Sequence, residues 1–142
     1  MTIAVDFDGT IVEHCYPSIG KERPFAVATL RQLQRENPEL KLILWTVREG
    51  QLLQNALEWC EQRGLSFYAV NSNFPEELPS ATAANQCCRK VTADIYIDDR
   101  NLGALPSWPE IYRRLCEMNS TTATAGTKPR RPSLLARLLG RK

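Results

Sequence analysis

The stretch AVDFDGTIV, residues 4–12, decides the fold, because it begins as a buried strand and then presents two carboxylates. Asp6 and Asp8 stand at the end of the apolar run, and Gly9 and Thr10 follow at once. Burying one carboxylate is costly, and burying two side by side costs more. We therefore expect the two carboxylates to have a chemical function, in which another group compensates their charge.

Around this stretch, apolar runs alternate with helical patterns along the chain. The pattern predicts strands at 2–7, 41–46, 66–71 and 93–99, and helices at 24–37, 49–63 and 109–118. Pro24 suits the first turn of a helix, and Asn37-Pro38 ends that helix. Alternating strands and helices with nearly continuous apolar strands are typical of a parallel sheet covered on both faces. We therefore predict an α/β fold of three layers.

The composition indicates one soluble domain. The 142 residues contain no apolar run long enough to cross a membrane, and the N-terminus lacks the pattern of a signal peptide. The number of cysteines is odd, with no CxxC motif: Cys15, Cys60, Cys87, Cys88 and Cys116. With His14 as the sole histidine, a zinc site is disfavoured. We expect free thiols and a cytoplasmic protein.

Charge is distributed unevenly between the two ends of the chain. Residues 1–118 carry a net charge of −4, and residues 119–142 carry +6. We predict a domain over 1–118 and a basic, disordered tail over 119–142, where residues 119–132 have a linker-like composition. The alternative is that the segment SLLARLL, residues 133–139, anchors the tail to an anionic surface on an acidic protein, a membrane or a nucleic acid.

Polar side chains follow every predicted strand, at the edge where parallel sheets bind their ligands. They are Asp6, Asp8 and Thr10 after the first strand, Thr46 and Arg48 after the second, Asn71 and Asn73 after the third, and Asp98 and Asp99 after the fourth. Four carboxylates at one edge repel one another, by about 3 kcal/mol for two charges ~5 Å apart. Hard oxygen ligands favour Mg²⁺, which would in turn attract a phosphate.

Four segments carry a resemblance to a known family. DFDGT after the first strand, LILWT ending in Thr46, Lys90 before the fourth strand, and YIDD at the end of that strand resemble the motifs of the haloacid dehalogenase-like (HAD) phosphohydrolases. The strings VDFDGTIVEH, LWTVREG and DDRNLG are also similar to a small, capless branch of uncharacterised bacterial hydrolases. The resemblance implies a Rossmannoid sheet and a Mg²⁺-dependent phosphomonoester hydrolase.

The resemblance also implies roles for single residues. Asp6 would be the nucleophile that forms an aspartyl-phosphate, and Asp8 would act as general acid and then as base. Thr46 would bind a phosphoryl oxygen, and Lys90 would neutralise charge on the intermediate. The implied metal ligands are Asp6, the backbone carbonyl of Asp8, Asp98 and Asp99. The expected phosphate-binding residues are Gly9, Thr10, Thr46, Val47, Arg48 and Lys90.

Several roles stay open at this point. Lys41 or Arg89 could replace Lys90, whereas Arg48 and Arg100 could bind a second anionic group or form salt bridges. His14 fits a surface loop better than a catalytic base. Trp45, Trp59 and Trp108 fit the core or helix packing.

The segments at 11–23 and 72–89, where larger relatives insert a cap domain, are too short to form one. We therefore expect an open site that accepts a bulky phosphate ester, or a homo-oligomer that shields a phosphorylated small molecule. Two other functions compete with hydrolysis. One is a phosphoacceptor signalling module, and the other is a catalytically silent interaction protein that uses its basic tail.

Overall fold

The computed structural model describes residues 1–75 and 91–125, the last five of them by backbone alone. They fall into two compact units, Met1–Tyr112 and a second unit that begins at Arg113. The strands and helices of the described residues are β1 Thr2–Val5, α1 Ala26–Glu36, β2 Lys41–Leu44, α2 Gly50–Glu61, β3 Ala69–Val70, β4 Ile95–Ile97 and α3 Trp108–Ala125.

The four strands form one parallel sheet in the order β3-β2-β1-β4. β1 lies between β2 and β4, with Ile3 opposite both Leu42 and Ile95. Such a sheet needs long connections between its strands, and helices α1 and α2 supply two of them. The predicted α/β class with a parallel sheet is confirmed.

Both faces of β1 are buried, as its continuous apolar run predicts. Ile3, Ala4 and Val5 are fully buried, although successive side chains on a strand point to opposite faces. On one face Ala4 packs in a cluster with Ile43, Ala69 and Val91, and Trp45, Tyr68, Ala93 and Tyr96 pack against that cluster. This double burial holds β1 at the centre of the sheet and fixes the position of the carboxylates that follow it.

The start of α1 differs from the prediction. Pro24 lies in a turn, and α1 begins two residues later, at Ala26. The cause is Phe25, whose φ of 68° is left-handed and therefore cannot belong to the helix. The predicted end is confirmed, because Asn37 closes α1 by donating from its backbone N–H and its side-chain amide to the carbonyl of Leu33.

The other boundaries also shift. Each strand is shorter than predicted, although Asp6 N–H still donates to Ile97 O at 2.9 Å, just beyond β1. α3 runs to Ala125, seven residues past its predicted end and into the segment with linker-like composition. Within this extension, the hydroxyl of Ser120 donates to the carbonyl of Cys116 one turn earlier, so this polar side chain is satisfied inside the helix.

Some predictions concern residues outside the described ranges. These are Cys87, Cys88 and Lys90, most of the 72–89 segment, and the tail beyond residue 125. Among the described cysteines, Cys15, Cys60 and Cys116 are free thiols, as expected. In the described part of the chain, every helix is too short or too polar to cross a membrane.

Candidate functional site

The ends of adjacent strands bring the predicted carboxylates together. Asp6 follows β1, and Asp98 and Asp99 follow the neighbouring strand β4. One oxygen from each of these three carboxylates lies within 4.8 Å of the other two. Three of the predicted metal-ligating residues therefore converge at the carboxyl edge of the sheet.

Thr10 links the two halves of this cluster. Its hydroxyl donates to Asp6 Oδ2 at 3.1 Å and accepts the backbone N–H of Asp99 at 3.0 Å. Thr10 is fully buried, and its carbonyl accepts the indole N–H of Trp108 at 3.1 Å. The prediction that Thr10 binds phosphate is therefore not supported, because its hydroxyl already serves two protein groups. Thr10 instead sets the spacing between Asp6 and Asp99.

Gly9 allows the chain to turn against Asp99. Its φ of 89° favours glycine, and a Cβ at this position would overlap the carboxylate of Asp99. Its backbone N–H donates to Val12 O at 2.8 Å. The predicted role of Gly9 in phosphate binding is therefore not supported either, since its N–H has a partner. Gly9 matters because it lets Asp99 approach the main chain.

The electrostatics of the cluster favour a bound cation. The pKa of Asp6 is raised from 3.8 to about 7, chiefly by burial; the neighbouring carboxylates of Asp98 and Asp99 also raise it, whereas the hydrogen bonds from Phe7 N–H and Thr10 lower it. Oδ1 of Asp99 is buried and has no hydrogen-bond partner. Three converging carboxylates and one unsatisfied oxygen fit a hard divalent cation, which would supply the missing positive charge.

Asp8 points to a different partner. Both of its oxygens accept hydrogen bonds from Arg48, from Nε to Oδ2 at 2.6 Å and from Nη2 to Oδ1 at 2.7 Å. Arg48 is completely buried, and its guanidinium also donates to the carbonyls of Pro17 and Ser18, at 3.0 and 2.8 Å. The rings of Phe7 and Tyr16 lie 5.2 and 5.4 Å from its central carbon.

This ion pair bears on the predictions for Arg48 and Asp8. Arg48 is not placed to bind phosphate, because Asp8 and two loop carbonyls occupy its guanidinium. Of the two alternatives left open for Arg48, the structure shows the salt bridge. The side chain of Asp8 lies outside the cluster of Asp6, Asp98 and Asp99; the resemblance implied its backbone carbonyl as a metal ligand, and that role stays a prediction.

A cavity of about 560 Å³ opens at this edge of the sheet. Its lining residues are Asp6, Asp8, His14, Tyr16, Trp45, Thr46, Val47, Asp98 and Arg100. The Thr46 hydroxyl accepts the backbone N–H of Arg48 at 3.2 Å and keeps its own hydrogen to donate. Val47 is 59 % exposed at the cavity wall. The two predicted residues after β2, Thr46 and Val47, are thus brought to the carboxylates.

The segment 11–23 forms one wall of the cavity. Its two ends pair with each other, through Glu13 N–H to Lys21 O at 2.7 Å and Arg23 N–H to Ile11 O at 2.9 Å. This pairing projects His14 and Tyr16 into the cavity lining. The sequence placed His14 in a loop but gave no sign of its position at the site. That position depends on contacts made by Arg48, which is distant in sequence.

Two aromatic residues of the site were not anticipated. Tyr16 is half-exposed beside Arg48. Trp45 was predicted in the core. It packs edge-on against Tyr96, with ring centroids 5.5 Å apart, and also reaches the cavity. For Asn71 the sequence left two roles open, a turn residue or a pocket residue. Its side-chain oxygen accepts the backbone N–H of Thr46 at 2.8 Å and so helps to position Thr46. Lys90 lies outside the described residues.

Comparison with known proteins gives one informative match. No family model and no curated protein matches the chain. A solved structure, described as that of a conserved protein from Bacteroides thetaiotaomicron, is 56 % identical in sequence. The match covers 83 % of this chain and 91 % of that one, with a TM-score of 0.72. Because identity is this high over most of both chains, the chain belongs to the family of this conserved Bacteroides protein.

Proposed function

We propose that the protein is a Mg²⁺-dependent phosphomonoester hydrolase with Asp6 as its nucleophile. The observation that carries the proposal is the convergence of Asp6, Asp98 and Asp99 within 4.8 Å, where Asp6 and Asp98 line a cavity together with Thr46. A cation would be held by these three carboxylates and would neutralise charge on a phosphoryl group. We extend the proposal to the finer fold, a three-layer, HAD-like Rossmannoid domain without a cap.

The proposed reaction has two steps. In the first, a carboxylate oxygen of Asp6 bonds to phosphorus, and the bond from phosphorus to the ester oxygen breaks, so that this oxygen leaves and takes up a proton. In the second, water attacks phosphorus, loses a proton, and displaces the Asp6 oxygen to regenerate the carboxylate. The Thr46 hydroxyl is placed at the cavity to donate to a phosphoryl oxygen, and Thr10 holds Asp6 in position.

The proposed acid and base role of Asp8 carries a structural condition. Asp8 lines the cavity, but both of its oxygens accept hydrogen bonds from Arg48. To transfer a proton to the ester oxygen or from water, Asp8 has to release at least one of these bonds. The bonds from Arg48 to the carbonyls of Pro17 and Ser18 do not involve Asp8 and would hold the guanidinium in place during this step.

The direct test is the hydrolysis of p-nitrophenyl phosphate with Mg²⁺ and with EDTA. We expect the wild-type protein to be active with Mg²⁺ only. Asp6→Asn should lower kcat by at least about a thousandfold, because an amide cannot form the covalent intermediate. Circular dichroism checks that the variant keeps its fold. Full activity of Asp6→Asn would remove the proposal.

Asp94→Asn is the matched control. Asp94 stands just before β4, where its carboxylate accepts the backbone N–H of Thr2 at 2.7 Å, whereas Asp98 follows the same strand. The change in charge is identical, but Asp94 lies at the opposite end of β4 from the cavity. We expect its activity to match that of the wild-type protein.

One observation favours a second candidate, a phosphoacceptor module that holds its phosphoryl group. The commitment of Asp8 to Arg48 leaves its carboxylate less available to activate water, which would slow hydrolysis of a phosphorylated Asp6. Intact-protein mass spectrometry after treatment with acetyl phosphate and Mg²⁺ separates the two. A stable adduct that Asp6→Asn abolishes supports the phosphoacceptor, and rapid turnover without an adduct supports the hydrolase.

A further inference from the structure

The two arginines at the cavity have different surroundings. Arg48 is buried and bonded to Asp8 and two carbonyls, so its charge is compensated within the protein. Arg100 is exposed and lines the same cavity, and the described residues provide its guanidinium with no ion pair. Among the described residues, Arg100 is therefore a cation without an ion-pair partner, and it lines a cavity that three carboxylates also line.

The main chain fixes where Arg100 emerges. Its backbone N–H donates to Asp98 Oδ1 at 2.8 Å, two residues after β4 ends. Asn101 closes the same turn by donating its side-chain amide to the carbonyl of Asp98 at 3.0 Å. These two bonds place Arg100 directly after the carboxylate cluster, although its side chain makes no ion pair with Asp98. The turn thus presents a cation beside the proposed phosphate position.

The cavity has room for more than a phosphoryl group. Its volume of about 560 Å³ lies within the range of small-molecule sites, roughly 300–1,000 Å³. Asp6 and Asp98 line the cavity and, with Asp99, would hold the proposed cation and phosphate. Arg100 and the exposed side chains of His14 and Tyr16 remain for the other part of the substrate.

We propose that Arg100 determines specificity by binding a second anionic group, so that the preferred substrates are phosphate monoesters that also carry a carboxylate or another phosphate. This inference rests on the proposed function and names its substrate class. An arginine matches a planar carboxylate or a phosphate through paired N–H donors. A neutral leaving group would leave that guanidinium without such a partner.

Two phosphonates test the inference without turnover. Methylphosphonate carries one acidic group, and phosphonoacetate adds a carboxylate. With Mg²⁺ present, calorimetry should show that the wild-type protein binds phosphonoacetate about tenfold more tightly. Arg100→Gln should bring the two dissociation constants close together, and Arg100→Lys should keep part of the preference. Arg35→Gln is the matched control, since Arg35 is exposed on α1 and loses the same charge away from the cavity.

The contrary outcomes are distinct. If Arg100→Gln weakens both phosphonates equally, Arg100 contacts the phosphoryl group itself and the inference is wrong. If the preference survives unchanged in Arg100→Gln, another group binds the carboxylate and the inference is again wrong. If neither phosphonate binds and no ester is hydrolysed, the proposed function fails together with it. Hydrolysis of glycerol 3-phosphate and 3-phosphoglycerate at equal kcat/KM would overturn the inference alone.

Discussion

At the scale of single residues, the carboxylates of the site differ in whether a positively charged side chain neutralises them. Asp8 has a guanidinium within 2.6 Å. Asp6 has two carboxylate neighbours instead, and its pKa is raised to about 7. In the sequence, Asp6 and Asp8 look equivalent. Only the fold shows that the charge of Asp8 is neutralised within the protein, whereas that of Asp6 needs an external cation.

The first prediction concerns the buried pair. Arg48→Met should lower the free energy of unfolding by about 3–5 kcal/mol, because it leaves the carboxylate of Asp8 buried without its partner. Urea denaturation measures the loss. Arg113→Met is the control, because Arg113 pairs with Glu117 on an exposed helix surface, where breaking an ion pair costs about 1 kcal/mol or less.

A double variant tests whether the loss comes from the unpaired charge. Replacing both partners, as Asp8→Leu with Arg48→Met, should recover part of the stability lost in Arg48→Met alone, because no uncompensated charge remains. Equal stability of Arg48→Met and Arg113→Met would show that the pair contributes nothing beyond a surface bridge.

The site residues that the sequence could predict share one property. Asp6, Thr46, Asp98 and Asp99 directly follow apolar strands, so the end of each strand fixes their position. His14 and Tyr16 could not be placed, because their positions depend on a loop held by Arg48, some thirty residues away in sequence. Thr10 and Arg48, predicted to bind phosphate, donate to protein acceptors in the structure, and the sequence could not show this for a related reason. A sequence shows a donor but not the protein acceptor that already occupies it.

At the scale of elements, the sheet order brings the site together. β1 pairs with both β2 and β4, so one central strand carries Asp6 between the ends of its two neighbours. The alternation of strands and helices predicted the parallel sheet, and the central strands β1 and β2 are buried on both faces, as their continuous apolar runs indicate. The ends of the elements were less predictable. Phe25, with a φ of 68°, moves the start of α1 to Ala26, and α3 continues past its polar residues to Ala125.

The second prediction concerns the turn after β1, where Gly9 lies against Asp99 at the end of β4. Gly9→Ala should abolish measurable Mg²⁺ binding by calorimetry as well as destabilise the fold, because the new methyl group displaces the carboxylate of Asp99. Gly103→Ala is a close control. Gly103 also has a positive φ, of 99°, but a Cβ there meets nothing within 4 Å.

The two alanine variants should therefore separate backbone strain from displacement of Asp99. We expect Gly103→Ala to cost about 1–2 kcal/mol in the free energy of unfolding, for the left-handed backbone alone, and to bind Mg²⁺ as the wild-type protein does. Normal Mg²⁺ affinity in Gly9→Ala would contradict the proposed part of Asp99 in the metal site.

At the scale of the whole molecule, the carboxylate cluster couples stability to pH and to metal. Asp6 has an ordinary pKa of 3.8 when unfolded and a raised pKa of about 7 when folded without metal. Between these values the folded chain keeps a proton that the unfolded chain has released. The unfolded state then binds fewer protons, so the free energy of unfolding falls as pH rises.

The third prediction follows from this sign. In EDTA, the contribution of Asp6 to the free energy of unfolding should be highest below pH 4 and lowest above pH 7, a change of up to about 4 kcal/mol. Because a cation binds the ionised carboxylates, Mg²⁺ should raise Tm strongly at pH 7.5 and little at pH 5. Thermal unfolding across this pH range, with Mg²⁺ and with EDTA, measures both effects.

Asp6→Asn separates the contribution of the carboxylate cluster at Asp6 from that of titrating groups elsewhere in the protein. Other carboxylates act in the opposite sense, as Glu36 does, where hydrogen bonds from Gln32 and Tyr112 lower its pKa and its stabilisation is lost as pH falls. Since Glu36 is unchanged in Asp6→Asn, subtracting the two pH profiles removes its contribution and leaves that of Asp6 together with its coupling to Asp98 and Asp99. That difference should decline between pH 4 and 7 in EDTA. A flat difference would mean that the fold does not hold Asp6 protonated, and that the cluster does not require a cation to balance its charge.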